Sequence, residues 1–379
     1  MNRTFLPPSS SSAIERRSFI KGLTALSLGL VCGVNEVSAA PVVYRRRRYT
    51  LVGAEECIQF YRQAIQGPLS SVAEEVGQLH LSDGTLNAFE KRLHKTQTDA
   101  VIVAPSCETG CALIRRALQA GCDVITELSP GSTFEAWASV HDTYARTGRT
   151  IRLALPQRYV PAHAEVKILL AGGRVGKLLS VDFIHARPPR PLADKGTSEG
   201  PNLEAWASFD LINWWVGSAP LRLCLNGRAY SHGFDSRRPR LLYRDGVTLS
   251  YSEKNSTGVP CYFVAFNGTQ GRLEHSWTSR VHGAGGSALG AFSRSSPESK
   301  TRLFPLRGPA REVVAPSEEG QSGEEQMLAD LFSAEIQPER RARALGGVES
   351  ATWALAVGRG LRETRGEGRD LEASLFSFA

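Results

Sequence analysis

Apolar positions in this chain recur with two different periods, and the change falls near residue 178. Before it, short wholly apolar runs alternate with amphipathic stretches. Tyr49 to Ala54 (YTLVGA) predicts a short buried strand, and Cys57 to Ile65 a helix behind it. Gln78 to Ser82 can form a strand ending at the turn pair Asp83-Gly84, followed by a helix over Leu86 to Leu93. Asp99 to Pro105 (DAVIVAP) is apolar and bounded by proline, the pattern of a strand buried on both faces. Thr109 to Ala120 predicts a helix stopped by Gly121. Asp123 to Glu127 reads as strand, Thr133 to Gly148 as helix, Ile151 to Leu155 as strand, and Pro161 to Ala171 as helix closed by Gly172-Gly173. Strands alternating with helices predict a parallel sheet with crossover helices.

From Leu178 the pattern alternates with period two, at Leu178 to Phe183, Val247 to Tyr251, Tyr262 to Phe266 and Gly271 to His275. Between the first two lies a helical stretch, Leu203 to Val216. His282 to Lys300, rich in glycine and serine, reads as a loop, and two helices, near Glu324 to Ala334 and Gly347 to Glu363, close the chain. The last of these is expected to pack back across the junction of the two halves.

At 379 residues and 41% apolar content, the chain suits two domains with real cores. Its net charge of +7 is partly local: four consecutive arginines, Arg45 to Arg48, and a net basic first 39 residues leave the remainder near neutral. No basic face with interleaved aromatics appears, so nucleic acid is not an expected partner. The seven cysteines form no CxxC pair; Cys107 and Cys111 sit at helical spacing without a neighbouring histidine to complete a metal site.

The N-terminus carries its own signal. Arg16-Arg17-Ser18-Phe19-Ile20-Lys21 resembles the twin-arginine export motif. The apolar stretch after it, Gly22 to Val34, is 13 residues and too short to span a bilayer. Val37-Ser38-Ala39 places small residues at a cleavage site, so residues 1–39 are expected to be a signal peptide and 40–48 a basic linker. Cys32 follows Val31, a poor lipoprotein site, so no stable membrane anchor is expected. The expected location is periplasmic or secreted, by a route that carries folded proteins.

Six short blocks stand in a characteristic order. They are Asp99 to Pro105 with Ala117 to Gly121 (ALQAG), Glu127 to Thr133 (ELSPGST), Gln157 to Pro161 (QRYVP), Gly172 to Lys177 (GGRVGK), Asn213-Trp214 through Gly217 to Pro220, and Asn267 to Gly271 (NGTQG). Together they resemble the Gfo/Idh/MocA family, the relatives of glucose–fructose oxidoreductase and inositol dehydrogenase. The resemblance implies a Rossmann-like α/β N-terminal domain over residues 49–155. It also implies an α+β C-terminal domain with a mostly antiparallel sheet over 156–379, whose open face is a possible homo-oligomer surface. It further implies an NAD(P) cofactor and a sugar-like substrate.

The family's site positions are poorly kept here. Its glycine-rich turn lets backbone N–H groups at a helix N-terminus meet the pyrophosphate. Here that turn reads Gly53-Ala54-Glu55-Glu56-Cys57-Ile58; one glycine remains, and the side chains of Glu55 and Ile58 are expected to fill the phosphate space. Only 45 residues separate Gly53 from Asp99, short for the family's usual set of elements. Asp83 either stands in for the ribose-binding carboxylate or is a turn aspartate. Pro105, Glu127 and Arg158 fall at cofactor-side positions of the matched blocks. Leu128 replaces the family's lysine, and Leu203 and Ala207 fall where its aspartate and histidine stand. Asp210, one helical turn on, and His185, with Arg187 and Arg190 after the first strand of the second half, are the remaining acid/base or anion-binding candidates; each also reads as a plain structural residue. One of Trp206, Trp214 and Trp215, if exposed, could stack on a sugar ring.

Two functions follow. One is a non-catalytic binding or scaffold relative that keeps the fold, with no cofactor; the joint loss of glycines, lysine, aspartate and histidine favours it. The other is an active NAD(P)-dependent sugar or polyol oxidoreductase with a divergent site.

Overall fold

The computed structural model describes residues 46–80, 85–104, 109–127, 134–187, 203–218, 220–224, 240–255, 261–278, 298–314, 323–332 and 352–353. Its first half is a five-stranded parallel sheet. The elements are β1 (Arg47–Gly53), α1 (Glu55–Gln66), β2 (Ala73–His80), α2 (Thr85–Thr96), β3 (Ala100–Ala104), α3 (Thr109–Gln119), β4 (Asp123–Glu127), α4 (Phe134–Thr147) and β5 (Ile151–Ala154). The strand order is β2-β1-β3-β4-β5, so the winding direction reverses between β1 and β3. That reversal opens a crevice at the carboxyl ends of these two strands.

The order explains which helix covers which face. The crossover from β1 to β2 runs one way, and those from β2 to β3, β4 and β5 run the other. Right-handed crossovers therefore put α1 on one face and α2, α3 and α4 on the opposite face. Val101, Val103, Val124 and Leu153 meet the second group, with Phe89, Leu113, Ile114 and Trp137. Tyr49, Leu51, Ile102 and Ile125 meet α1 through Ile58, Tyr61 and Ile65. α1 alone cannot cover its face. The remainder is filled from far along the chain by α7 (Gly323–Phe332), whose Met327, Leu331 and Phe332 are almost wholly buried there. Arg152 Nη1 donates to the Leu331 carbonyl at 2.6 Å, and Phe332 packs on the Tyr49 ring, centroids 4.5 Å apart.

A 3₁₀ turn (Pro156–Tyr159) and α5 (Pro161–Ala171) lead into the second sheet. Its strands are β6 (Leu178–Arg187), β7 (Pro220–Cys224), β8 (Arg240–Tyr243), β9 (Thr248–Asn255), β10 (Cys261–Gly268), β11 (Gly271–Thr278), β12 (Ser299–Pro305) and β13 (Arg311–Val313), with α6 (Leu203–Val216) after β6. They run in the order β13-β12-β11-β10-β6-β9-β8-β7, antiparallel except for the β6–β9 pair. Val181, Phe183, Leu249, Val264, Phe266 and Leu273 face α5 and α6 and form the second core. The other face carries a polar network. Asn267 Nδ2 donates to Ser180 Oγ and to Asp182 Oδ2, each at 3.0 Å, and Arg272 donates to Asn267 Oδ1 and Glu274 Oε1, each at 2.7 Å. No helix among the described residues is long and apolar enough to cross a membrane.

The structure departs from the sequence reading at several elements. β1 starts at Arg47, so two residues of the expected linker are strand. Folding gives their charges partners: Arg47 pairs with Asp123 at the start of β4, and Arg48 donates to the Gln97 side chain at 2.9 Å. β2 runs Ala73–His80 rather than 78–82. It is an edge strand carrying Glu74 and Glu75, and that polarity hid it. The 45-residue interval after Gly53 holds α1, β2 and α2 with no further strand, so the sheet ends at β2. β6 extends four residues beyond expectation, to Arg187. β7, β8, β12 and β13 lay outside the predicted elements, and β12 takes the last two residues of the expected loop. These are short or half-exposed strands that alternate too weakly to register. Of the helix expected near 347–363 only Thr352 and Trp353 are described. Thr352 accepts from Trp137 Nε1 at 3.0 Å, so this segment meets α4 of the parallel-sheet half.

Candidate functional site

The crevice is lined by the strand ends of β1, β2 and β3 and by the N-terminus of α1. Gly53 ends β1 opposite His80 of β2 and Ala104 of β3. A Cβ at Gly53 would lie 2.4 Å from the Ala104 carbonyl oxygen. The glycine is thus required by the approach of two strands, and its presence needs no phosphate to explain it. Ala54 caps α1 without a side-chain hydrogen bond. The first turn is instead acidic, which suits the positive end of the helix dipole. Glu55 leans toward β2: its carboxylate lies 3.1 Å from His80 Nδ1 and accepts from Gln59 Nε2 at 2.6 Å. Both partners of the Glu55–His80 pair are half exposed, so it contributes at most about 1 kcal/mol.

Ile58 corrects an expectation. Its side chain is 1% exposed and packs toward the sheet, not into the phosphate space, because the helix turns that position inward. Asp83, Pro105 and Leu128 lie outside the described residues, as does Arg190. Glu127 ends β4 opposite Ala154, and its side chain, like those of Glu56, Leu203, Trp206 and Ala207, is outside what is described.

Asp210 and Arg158, expected in separate roles, are brought together. Arg158 Nε and Nη2 donate to the two carboxylate oxygens of Asp210 at 3.0 and 2.7 Å, with side chains only 4% and 2% exposed. The guanidinium also lies 5.9 Å from the Trp214 ring centroid. Two-point pairing of this kind is the strongest geometry these groups have. It ties the 3₁₀ turn after β5 to the middle of α6. The pair engages both oxygens of the Asp210 carboxylate through Nε and Nη2 of Arg158. Trp215 is buried and donates to the His163 carbonyl at 2.9 Å, so it is not a platform for a sugar; Trp214 remains half buried.

His185 is corrected as well. It does not follow the strand: β6 continues through it and points it inward, where it is fully buried and stacked on Tyr262 at 4.4 Å. It is therefore not an anion-binding group at the surface. Inside the same core are two histidines that the sequence reading passed over, His163 of α5 and His275 of β11. The signal for His275 was the inward alternation Leu273, His275, Trp277, which places an imidazole in a line of core residues. Burial pushes His163 down to about 4, partly opposed by its hydrogen bond to the Gln157 carbonyl, and burial together with His163 pushes His275 well below its ordinary value. Among the described residues, no group of three or more His, Cys, Asp or Glu could hold a metal ion.

The chain matches no described protein-family model. It is 24% identical, over 74% of its length and 83% of the relative's, to the protein named "Putative oxidoreductase YteT" of Bacillus subtilis. It is 25% identical, over 44% of its length and 51% of the relative's, to inositol 2-dehydrogenase 2 of Saccharopolyspora erythraea. Among solved structures, an oxidoreductase from Sinorhizobium meliloti superposes with a TM-score of 0.62 at 15% identity, over 86% of this chain and all of that one. Gal80p of Saccharomyces cerevisiae, in a super-repressor mutant, superposes with a TM-score of 0.65 at 13% identity, over 88% of this chain and all of that one. The parallel sheet followed by a mostly antiparallel one is therefore the two-domain fold of these oxidoreductases, and the relatives found by sequence carry oxidoreductase names.

Proposed function

We propose that this chain is an exported member of the Gfo/Idh/MocA group that keeps the two-domain fold but has given up hydride transfer, and that it serves as a binding or scaffold protein for a sugar-like ligand. The observation that carries this reading is the crevice itself. Its one retained glycine is accounted for by the Ala104 carbonyl, and the helix end that would face a pyrophosphate bears Glu55. A nicotinamide dinucleotide does not fit these residues well: its phosphates would meet carboxylate where the group's members offer glycine N–H groups. Each like-charge contact in a partly desolvated cleft costs on the order of 1 kcal/mol. If Asp83 is a turn aspartate, loss of the ribose carboxylate removes roughly 1.5–3 kcal/mol more. The sum corresponds to about two to three orders of magnitude in affinity. The Arg158–Asp210 pair supports the same reading, since it occupies the carboxylate one helical turn beyond the lost histidine position.

The fold is compatible with such a role, because architecture does not dictate chemistry. One neighbour of this fold is a super-repressor mutant of Gal80p. The relatives' oxidoreductase names are equally compatible with the other reading, an active NAD(P)-dependent oxidoreductase with a divergent site. Calorimetric titration of the mature protein with NAD⁺, NADH, NADP⁺ and NADPH separates the two. We expect no binding of any of them at submillimolar concentration; micromolar affinity for one would overturn the non-catalytic reading.

A further inference from the structure

The core of the second sheet contains a continuous line of stacked rings. His185 lies on Tyr262 (4.4 Å), Tyr262 on Trp277 (4.9 Å) and Trp277 on His275 (5.1 Å), with interplanar angles of 13°, 12° and 24°. The register makes this possible, because His185, Tyr262 and Trp277 are direct cross-strand partners on β6, β10 and β11. His163, from α5, closes the line edge-on, 5.2 Å from His275 and 4.8 Å from Trp277. Trp215 of α6 stands against both histidines. The line thus occupies the seam between the helices and the sheet.

Both histidines are held in a way that leaves one ring nitrogen over. His163 Nδ1 donates to the Gln157 carbonyl at 2.9 Å, which fixes the proton on Nδ1 and leaves Nε2 as a bare acceptor. His275 Nδ1 bonds Thr301 Oγ1 at 2.8 Å. The Nε2 atoms of both are buried and have no hydrogen-bond partner among the described residues. We propose that this pair is an acid-sensitive latch: neutral His163 and His275 let α5 and α6 close on the sheet, and mild acid, by placing a proton on either Nε2, opens that seam.

Among the described side chains, the charged groups on the surrounding elements do not offer compensation. On α5, Lys167 is turned to α6, donating to the Trp214 carbonyl at 2.6 Å, and Glu165 is two positions from His163, on another side of the helix. On α6 and the 3₁₀ turn, Asp210 and Arg158 are closed on each other. Asp182 of β6 and Glu274 of β11 alternate with the inward residues and lie in the network on the far face, as does Arg272. Lys300 of β12 pairs with Glu312 of β13, and Arg302 shares its side of the strand. β10 contributes Tyr262 and β9 Tyr251, both neutral. Glu253 of β9 is in backbone register with His185, at the far end of the line; the latch is the pair whose rings meet, His163 and His275. An imidazolium there would have only ring faces to offset its desolvation. The downward shifts of both histidines agree with this placement. The latch does not depend on whether a dinucleotide binds.

The test is the near-ultraviolet circular dichroism of the mature protein, which reports the packing of Trp215 and Trp277, followed from neutral to pH about 4.5, across the ordinary histidine range. We expect the aromatic signal to collapse reversibly while the far-ultraviolet signal persists. In His163→Leu/His275→Leu the collapse should move down by about one pH unit or more. An aromatic signal flat to pH 4.5, or an unchanged midpoint in the variant, would overturn the proposal. Should the variant not fold, imidazole carbon shifts in the wild-type protein decide. His163 and His275 titrating together with the collapse support the latch; both titrating while the aromatic signal stays intact sinks it.

Discussion

Tyr49 shows how a single residue can serve packing at a polar cost. Its ring is wholly buried between β1 and α7, against Phe332, and its hydroxyl has no hydrogen-bond partner in the structure. Burial pushes the phenol up to about 12, partly opposed by Arg47 and Arg152. Two outcomes follow. Tyr49→Phe should leave stability unchanged or raise it by about 1 kcal/mol in urea unfolding, because it deletes an unsatisfied buried group while keeping the ring. In the wild-type protein, the folded state holds this proton more tightly than the unfolded chain. Stability is therefore intact below pH 10 and falls as pH rises toward 12. Tyr49→Phe should flatten that part of the pH–stability curve, and an equal alkaline slope in both proteins would refute the assignment. Gly53 is the opposite case, a residue whose meaning changed once its neighbour was known. Read by its motif it belongs to a nucleotide; read by the 2.4 Å to the Ala104 oxygen it belongs to the sheet.

At the scale of elements, the Arg158–Asp210 pair joins the turn after β5 to α6, and thereby the end of the parallel sheet to the helical layer of the second one. If its role is structural, removing one partner strands a buried charge. Asp210→Asn or Arg158→Met should each cost about 3–5 kcal/mol, whereas Arg158→Met/Asp210→Leu should recover much of the loss. Thermal unfolding of the three variants measures this. Were Asp210→Asn to unfold like the wild type, the pair would be dispensable to the fold and Asp210 would return as a site residue. α7 acts at the same scale. It covers the part of the parallel sheet that the winding order leaves bare, and Tyr159 reinforces it by donating to Asp330 Oδ2 at 3.0 Å.

For the whole molecule, the proposed export would depend on folding through β1. This strand is central in the parallel sheet, between β2 and β3, and begins eight residues after Ala39. A chain folded before export would carry Arg47 and Arg48 already matched to Asp123 and to Gln97. A route for folded proteins suits that order, and the proposed signal is Arg16-Arg17. Arg16→Lys/Arg17→Lys should hold the precursor in the cytoplasm, detected by fractionation and immunoblotting. Normal periplasmic yield of that variant would count against the route.

The sequence by itself determined the class of the fold and the order of its parts. Period and length gave the strands at 99–105, 123–127 and 151–155, the helices at 161–171 and 203–216, and the change to antiparallel pattern near 178, because buried strands and amphipathic helices print their periods locally. It also exposed the substitutions in the glycine-rich turn, since that motif is contiguous. What it left open were features made by residues far apart in the chain. The edge strand β2 and the short strands β7, β8, β12 and β13 are set by their pairing partners rather than by their own composition. That α7 belongs to the first sheet, that Asp210 belongs to Arg158, and that His185 faces into the same core as His163 and His275 were decided by tertiary structure alone. Each depends on contacts between segments that pattern cannot place, and the low-dielectric interior those segments form together turns polar side chains into partners or into costs.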